Sequence, residues 1–191
     1  MNTIISNMLN LCYISENTIQ ELSECLTKYE FPKKHMLIKA NQKCRYAYFI
    51  EQGITRSFWV VDGEEVTTSF STEGGIVFSM DELYYNQISE EYVETLEDTI
   101  AYRIANSDLN RLFETNLELC NWGRIIHQNE YRRIHRSHKD RLTLPVRERY
   151  LEFLKHYPNI CGRVNLSYIA SYIGTTPPTL SRIRLKAKLN I

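Results

Sequence analysis

A chain of 191 residues, 43% hydrophobic and 24% charged, with only seven glycines and five prolines, has the composition of one or two ordered globular domains and excludes a disordered or collagen-like polypeptide. Its net charge of zero conceals a division. Fourteen of the 23 Lys/Arg but four of the 23 Asp/Glu lie from Arg124 onward, which leaves nine against nineteen in residues 1–123. An acidic first part joined to a basic last part points to a polyanion as the partner of the tail; a solvated basic helix surface is the plainer alternative.

The opening stretch, MNTIISNMLNLCYISENTIQ, has no basic leader and its apolar residues are interrupted by polar ones, so it does not read as a signal peptide. No apolar run approaches the ~18 residues of a membrane span. Cys12, Cys25, Cys44, Cys120 and Cys161 are odd in number and irregularly spaced, with no C-x-x-C pair. That usage fits free thiols in a reducing cytoplasm.

In chain order, Ser15 is placed to cap a helix through about Tyr29, with Ile19, Leu22, Leu26 and Tyr29 on one face. From Met36 to Ile104 the pattern becomes short and β-rich. Asp62-Gly63 predicts a two-residue hairpin turn, Gln52-Gly53 a turn before it, and EYVETLEDTIAYRIA two more strands around Glu97-Asp98. Frequent turns between short antiparallel strands predict a small barrel or sandwich, with Tyr46, Tyr48, Phe49, Phe58 and Trp59 in its core. Together with Tyr84, Tyr85 and Tyr92 these aromatics are also candidates to line an apolar pocket inside it.

Ser107 is then expected to start a helix, with Asp108 in its first turn. A long proline-free stretch follows, whose stripe of Leu119, Trp122, Ile125 and Ile126, less cleanly Ile134, needs a partner. A second copy of the chain is the preferred partner and the chain's own barrel the close alternative. Pro145 opens a further helix with Leu151, Phe153 and Leu154 inward, and Pro158 ends it.

The sharpest pattern is YIASYIGTTPPTLSRIR. Ile169, Ala170 and Ile173 give one helix a buried edge, Gly174 permits a left-handed turn, and Leu180 and Ile183 bury a second helix. Two prolines stand at that second helix's mouth. The first N–H groups of a helix lack internal acceptors, so proline forfeits little there. Placing Pro177 at the cap and Pro178 at the first helical position costs two backbone donors for phosphate, leaving that task to Thr176, Thr179, Tyr168 and basic side chains.

With these residues in place, the sequence resembles the cyclic-AMP receptor protein/Fnr (Crp/Fnr) family of bacterial transcription regulators over nearly its whole length. Its most specific parts are RERYLEFLKHYP and the helix pair, where Ala170, Gly174, Leu180 and Ile183 occupy the expected positions. The resemblance implies an α+β fold: an N-terminal cyclic-nucleotide-binding-like β-roll (a double-stranded β-helix, or jelly roll) over residues 1–115, a long dimerisation helix over 116–141, and a winged-helix-type helix-turn-helix over 142–191. It implies a homodimer on palindromic double-stranded DNA in the cytoplasm, with RNA polymerase as a further partner. Thr176, Pro177, Pro178 and Arg182 stand where the family reads bases. Arg182 is able to grip guanine through a bidentate pair, while Arg184, Lys186, Tyr168, Thr176 and Thr179 position the backbone.

The same comparison weakens cyclic AMP as effector. Ser79 and Met80 stand where a nucleotide-binding Gly-Glu pair would be, and Glu90, with Glu91 beside it, stands near the expected arginine. Like charges ~4 Å apart cost about 1 kcal/mol in water and about 4 at an effective dielectric near 20, so a cyclic phosphate would be repelled. Arg56 and Arg103 are alternative cations, with nothing in the sequence to point them inward. The candidate effector pocket is Phe78, Ser79, Met80, Glu90, Glu91 and Tyr92, for a small molecule of unidentified chemistry.

No cofactor is implied. Cys12 and Cys25 are too few and too distant to repeat an Fnr-type iron–sulfur site. Cys44 beside Arg45 is either an oxidant-sensing thiol or, the plainer reading, an inert one. His135 and His138, with His127, lack a carboxylate at metal-binding spacing and read as a solvated basic helix. No catalytic motif is present, so the chain does not read as an enzyme. The competing function is a small-molecule or protein-interaction sensor of the same architecture with weakened DNA binding.

Overall fold

The structure, a computed structural model, describes residues 1–188. The chain forms two compact units: residues 1–58 with 70–129, and residues 59–69 with those from 130 onward.

The first unit begins with two helices, α1 (Asn2–Leu11) and α2 (Glu16–Glu24). Ser15 caps α2 as expected, its hydroxyl accepting the Thr18 N–H. The helix stops well short of Tyr29, however. Residues Thr27–Phe31 form strand β1, antiparallel to β8 (Thr99–Ala105), with Tyr29 opposite Ala101. The remaining strands are β2 (Met36–Ile38), β3 (Tyr46–Gln52), β4 (Thr55–Val61), β5 (Glu64–Ser71), β6 (Ile76–Val77) and β7 (Tyr92–Thr95), with the short helix α3 (Met80–Tyr85) between β6 and β7. They make two four-stranded sheets, ordered β1-β8-β3-β6 and β2-β7-β4-β5. This is the expected roll. The β4–β5 turn is Asp62-Gly63, both residues at positive φ (53° and 82°), the requirement of the hairpin turn that favours this dipeptide.

Alternation along β3 explains how the roll is covered. Tyr48 and Ile50 face inward with Leu37, Ile38, Val77, Val93 and Ala101, a core contributed by both sheets. Ala47 and Phe49 face outward, beneath Ile4, Met8, Leu22, Leu109 and Leu112 from the helices. Two of those residues lie on α4 (Asn106–Thr115), which starts one residue before Ser107, with Ala105 at the cap position and no side-chain cap. Helix α5 (Leu117–Thr143) then runs for 27 residues. Its first turns belong to the roll: Leu119 and Trp122 are 1% and 3% exposed, and the Trp122 ring stacks on Phe49 at 5.8 Å. These two residues of the stripe therefore serve the roll's own core, and Ile126 packs against it.

The second unit contains the tip of the β4–β5 hairpin, the last turns of α5, and α6 (Val146–His156), α7 (Leu166–Ile173) and α8 (Pro177–Lys188). Its core is aromatic. Phe153 lies 6.4 Å from Tyr150, 5.2 Å from Tyr157 and 5.5 Å from Tyr172, ring to ring. Leu151, expected inward, is exposed; Phe153 is buried and Leu154 half-buried. Pro145 occupies the cap position of α6. From Val146 to Lys188 the described residues form helices and turns, with no wing strand among them.

Candidate nucleic-acid interface

Helix α7 begins at Asn165, whose side chain accepts the Ser167 N–H at 3.0 Å, and ends at Gly174, in the left-handed region at φ 70°. The Thr175 N–H reaches back to the Ala170 carbonyl (2.9 Å) and the Gly174 N–H to that of Ser171 (3.1 Å). This pair of bonds satisfies the last carbonyls of a helix while reversing the chain. Ala170 and Leu180 are fully buried, so α7 and α8 meet through small and branched apolar groups, the helix-turn-helix packing expected of these residues.

Helix α8 starts one residue earlier than the sequence predicts. Thr176, not Pro177, is the cap: its Oγ1 accepts the Thr179 N–H at 3.4 Å, and its carbonyl accepts the first intrahelical bond from Leu180 at 3.0 Å. Pro177 and Pro178 are thus the first and second helical residues. The reason is proline's fixed φ, already helical, so both rings fit the first turn. The cost to phosphate binding is larger than two donors. The first two helical positions have no N–H and the third is taken by the cap, so these three positions offer no backbone hydrogen bond to an anion.

The remaining donors of this surface are mostly side chains. Thr176, Pro177, Pro178, Arg182 and Lys186 are exposed on α8, and Thr179 is half-buried. The Thr176 and Thr179 hydroxyls lie 3.0 Å apart and share one hydrogen bond, which leaves one hydroxyl proton to donate outward. Arg182 Nε donates to the Pro178 carbonyl at 3.4 Å, which turns the guanidinium's terminal nitrogens away from the backbone. Pro178, Arg182 and Lys186 follow one another at four-residue spacing and so share a face that Leu180 and Ile183 do not occupy. Arg184 and Tyr168 are half-buried.

Two cations of α5 hold α7 in place. Arg133, ion-paired with Glu130, donates to the Tyr172 hydroxyl at 2.8 Å, and Arg141 donates to the carbonyls of Tyr172 and Ser171. Arg132, His135, Arg136, His138 and Lys139 remain exposed. Ile125 is half-buried, whereas Leu117, Tyr131, Ile134 and Leu142 are exposed on the same helix.

The candidate effector residues lie on two neighbouring segments, joined where the Glu90 N–H meets Asp81 in the turn that Ser79 caps, and each makes its own local contacts. Ser79 is buried and caps α3 by accepting the Glu82 N–H; Phe78 packs edge-on to Tyr84 and beside His127. Met80 and Glu90 are exposed, and the Glu90 N–H donates to Asp81. Glu91 donates its N–H to the Ser89 hydroxyl, and Tyr92 stacks on Phe58 at 5.2 Å. Both alternative cations are engaged. Arg103 is sandwiched between Tyr29 and Tyr46, 4.2 and 3.9 Å from their ring centres, and donates to the Tyr29 hydroxyl. Arg56 is 1% exposed and lies 2.5 Å from the Glu94 carboxylate and over the Phe58 ring. Sequence reasoning missed this ion pair. Its only signal was the opposition of Arg56 and Glu94 across β4 and β7, legible once the register is known.

Tyr48, Phe49 and Phe58 are core, but Tyr46, Trp59, Tyr84 and Tyr85 are exposed, so the aromatics do not line an internal pocket. A crevice between α3, α4 and α5, bounded by Phe78, Tyr84, Phe113, Trp122 and His127, encloses about 10 Å³, room for one water. Cys44 is buried, and its thiol faces the carbonyls of Lys39 and Gln42. Burial raises its pKa, a backbone hydrogen bond at Lys39 opposes the rise, and the Glu82 carboxylate adds to it. The neutral, inert thiol is the reading this geometry favours. All five cysteines are free, no cluster of three or more His, Cys, Asp or Glu among the described residues is arranged to hold a metal, and no described helix is long and apolar enough to cross a membrane.

Residues 28–116 match the family model described as the cyclic nucleotide-binding domain. Among solved structures the chain is similar to FixK2 from Bradyrhizobium japonicum (18% identity, 86% of this chain and 85% of that one, TM-score 0.72). It is similar to the c-di-GMP responsive global regulator CLP of Xanthomonas campestris (16%, 92% and 93%, TM-score 0.71) and to a mutant of CooA from Carboxydothermus hydrogenoformans (18%, 98% and 85%, TM-score 0.68). No curated protein matches the sequence. These likenesses cover 86–98% of the chain and show a shared fold.

Proposed function

We propose that this chain, a Crp/Fnr-type protein in architecture, is a sequence-specific DNA-binding transcription regulator acting as a homodimer on palindromic sites. The observation that carries the reading is the exposed Pro178–Arg182–Lys186 face of α8, on a helix seated by buried Ala170 and Leu180 and turned by Gly174. Such a helix fits a major groove, with Arg182 reading guanine and Lys186, Thr176 and Thr179 on phosphates. Tyr168 and Arg184 are assigned further backbone contacts. The α+β roll of residues 1–115 is the sensor, 116–141 the linking helix and 142–191 the DNA-binding part. The exposed Leu117, Tyr131, Ile134 and Leu142 of α5, with half-buried Ile125, are the apolar groups that a second copy would cover.

The effector is not cyclic AMP in this reading. Asp81, Glu82, Glu90 and Glu91 crowd the segment where a cyclic phosphate would need a cation, and Arg56 and Arg103 are committed elsewhere. RNA polymerase is a further proposed partner.

The second reading, a sensor of this architecture with weakened DNA binding, draws support from the first three helical positions of α8, which offer no backbone donor. A salt-dependent mobility shift with genomic DNA fragments separates the two. Binding that weakens steeply with salt supports the regulator; no shift at low salt removes it.

A further inference from the structure

The tip of the β4–β5 hairpin groups with the helical unit, and one hydroxyl of that unit bonds to it twice. Ser171 of α7 accepts a hydrogen bond from the Thr67 N–H at 2.9 Å and donates one to the Glu65 carbonyl at 3.2 Å. In an extended strand, residues i and i+2 present their backbone polar groups to the same side. The Glu65 carbonyl and Thr67 N–H are therefore the pair that an edge strand offers to a neighbour. β5 is the last strand of its sheet, and Ser171 stands where a further strand would be. Thr67 is 1% exposed and Ser171 half-buried, so the Thr67 end of this contact is shielded while the Glu65 end lies at the surface.

The contact falls on a meaningful face of α7. Tyr168, assigned to the DNA backbone above, precedes Ser171 by three residues and shares that face. Helix α7 is also gripped from its carbonyl end by Arg141, so the hairpin meets a helix already fixed in its unit. The hairpin's turn carries three carboxylates, Asp62, Glu64 and Glu65, all exposed. Phosphates approaching the Tyr168 side of α7 meet negative charge tethered by the Ser171 hydroxyl.

We propose that the acidic β4–β5 hairpin is an autoinhibitory latch on the helix-turn-helix, closed by Ser171 and competing with the DNA backbone for the Tyr168 face of α7. The proposal rests on the DNA-binding reading, but the closure itself is measurable without DNA. The test compares wild type with Ser171→Ala in two measurements on the full chain. One is amide hydrogen exchange at Thr67; the other is affinity for random-sequence duplex DNA at low salt.

Removing two hydrogen bonds of ordinary strength should speed Thr67 exchange about tenfold and tighten DNA binding several-fold. Equal exchange rates in the two proteins would overturn the latch, as would faster exchange with DNA affinity unchanged or weaker. Failure of both proteins to bind DNA would remove the proposed function and the autoinhibitory role with it, while the exchange comparison would still decide whether Ser171 holds the hairpin.

Discussion

The hydroxyl of Thr176 lies 3.0 Å from that of Thr179 and also accepts the Thr179 backbone N–H, so one side chain closes the mouth of α8 that two prolines open. This arrangement gives the helix a defined start and satisfies the N–H of its third residue. It predicts that Thr176→Ala destabilises the second unit by about 1 kcal/mol, the ordinary worth of a lost cap, read by denaturant unfolding. The 3.4 Å length of the capping bond puts the effect in the lower half of the usual range. A loss below the resolution of the measurement would show that proline alone sets the helix start.

Arg182 and Lys186 share a face but are assigned different tasks. Arg182→Ala should cost about 1–3 kcal/mol on a selected site and relax base preference at one position. Lys186→Ala should weaken all sequences alike and lower the salt slope by about one phosphate contact. Binding titrations over a salt series, with matched and mismatched duplexes, distinguish the two. Equal behaviour of the variants would remove Arg182 as a base reader.

Much of this was legible from sequence wherever the cause is local. Asp62-Gly63, Ser15 before α2 and Gly174 after α7 each solve a backbone problem within a few residues, and each stands where expected. Reading failed where a distant partner decides. Leu26 and Tyr29 continue the helical spacing of α2, yet Thr27–Phe31 pairs with β8 some seventy residues on, and that ladder overrides the local pattern. Leu119 and Trp122 form an apolar stripe whichever partner covers it; the sequence cannot show that Phe49 lies beneath. Helix α1 was not read at all, because Ile4 and Met8 supply its only buried residues. At α8, two consecutive prolines blur the cap, and only the Thr176 bonds fix the start.

The Arg56–Glu94 pair lies where water cannot compensate for a missing partner. Glu94→Leu should destabilise the roll by about 3–5 kcal/mol, since it strands a buried guanidinium, and Arg56→Met with Glu94→Leu should recover most of that loss. Urea unfolding of both variants checks this. A double variant as unstable as the single one would mean that the pair is needed for more than charge balance.

Cys44 gives the pH dependence a sign. Burial holds its thiol above the ordinary range, so between that range and the raised value the unfolded chain has released a proton that the folded chain retains. The unfolded state then binds fewer protons, and the contribution of Cys44 to stability, full below about pH 8.5, falls as pH rises. Cys44→Ala should flatten that alkaline decline in unfolding experiments. In the wild-type protein, alkylation should reach exposed Cys120 and Cys161 well before Cys44. First reaction at Cys44 would contradict this.

The DNA-binding expectations depend on α8 meeting a DNA groove through its proline-started, arginine-bearing face. Selection and sequencing of random duplexes retained by the purified protein puts that to the test. The expected result is an enriched inverted repeat whose half-sites lie about one helical turn apart, with a guanine whose enrichment disappears in Arg182→Ala. Recovery of an unenriched pool, or of the same repeat with the same guanine from Arg182→Ala, would contradict it.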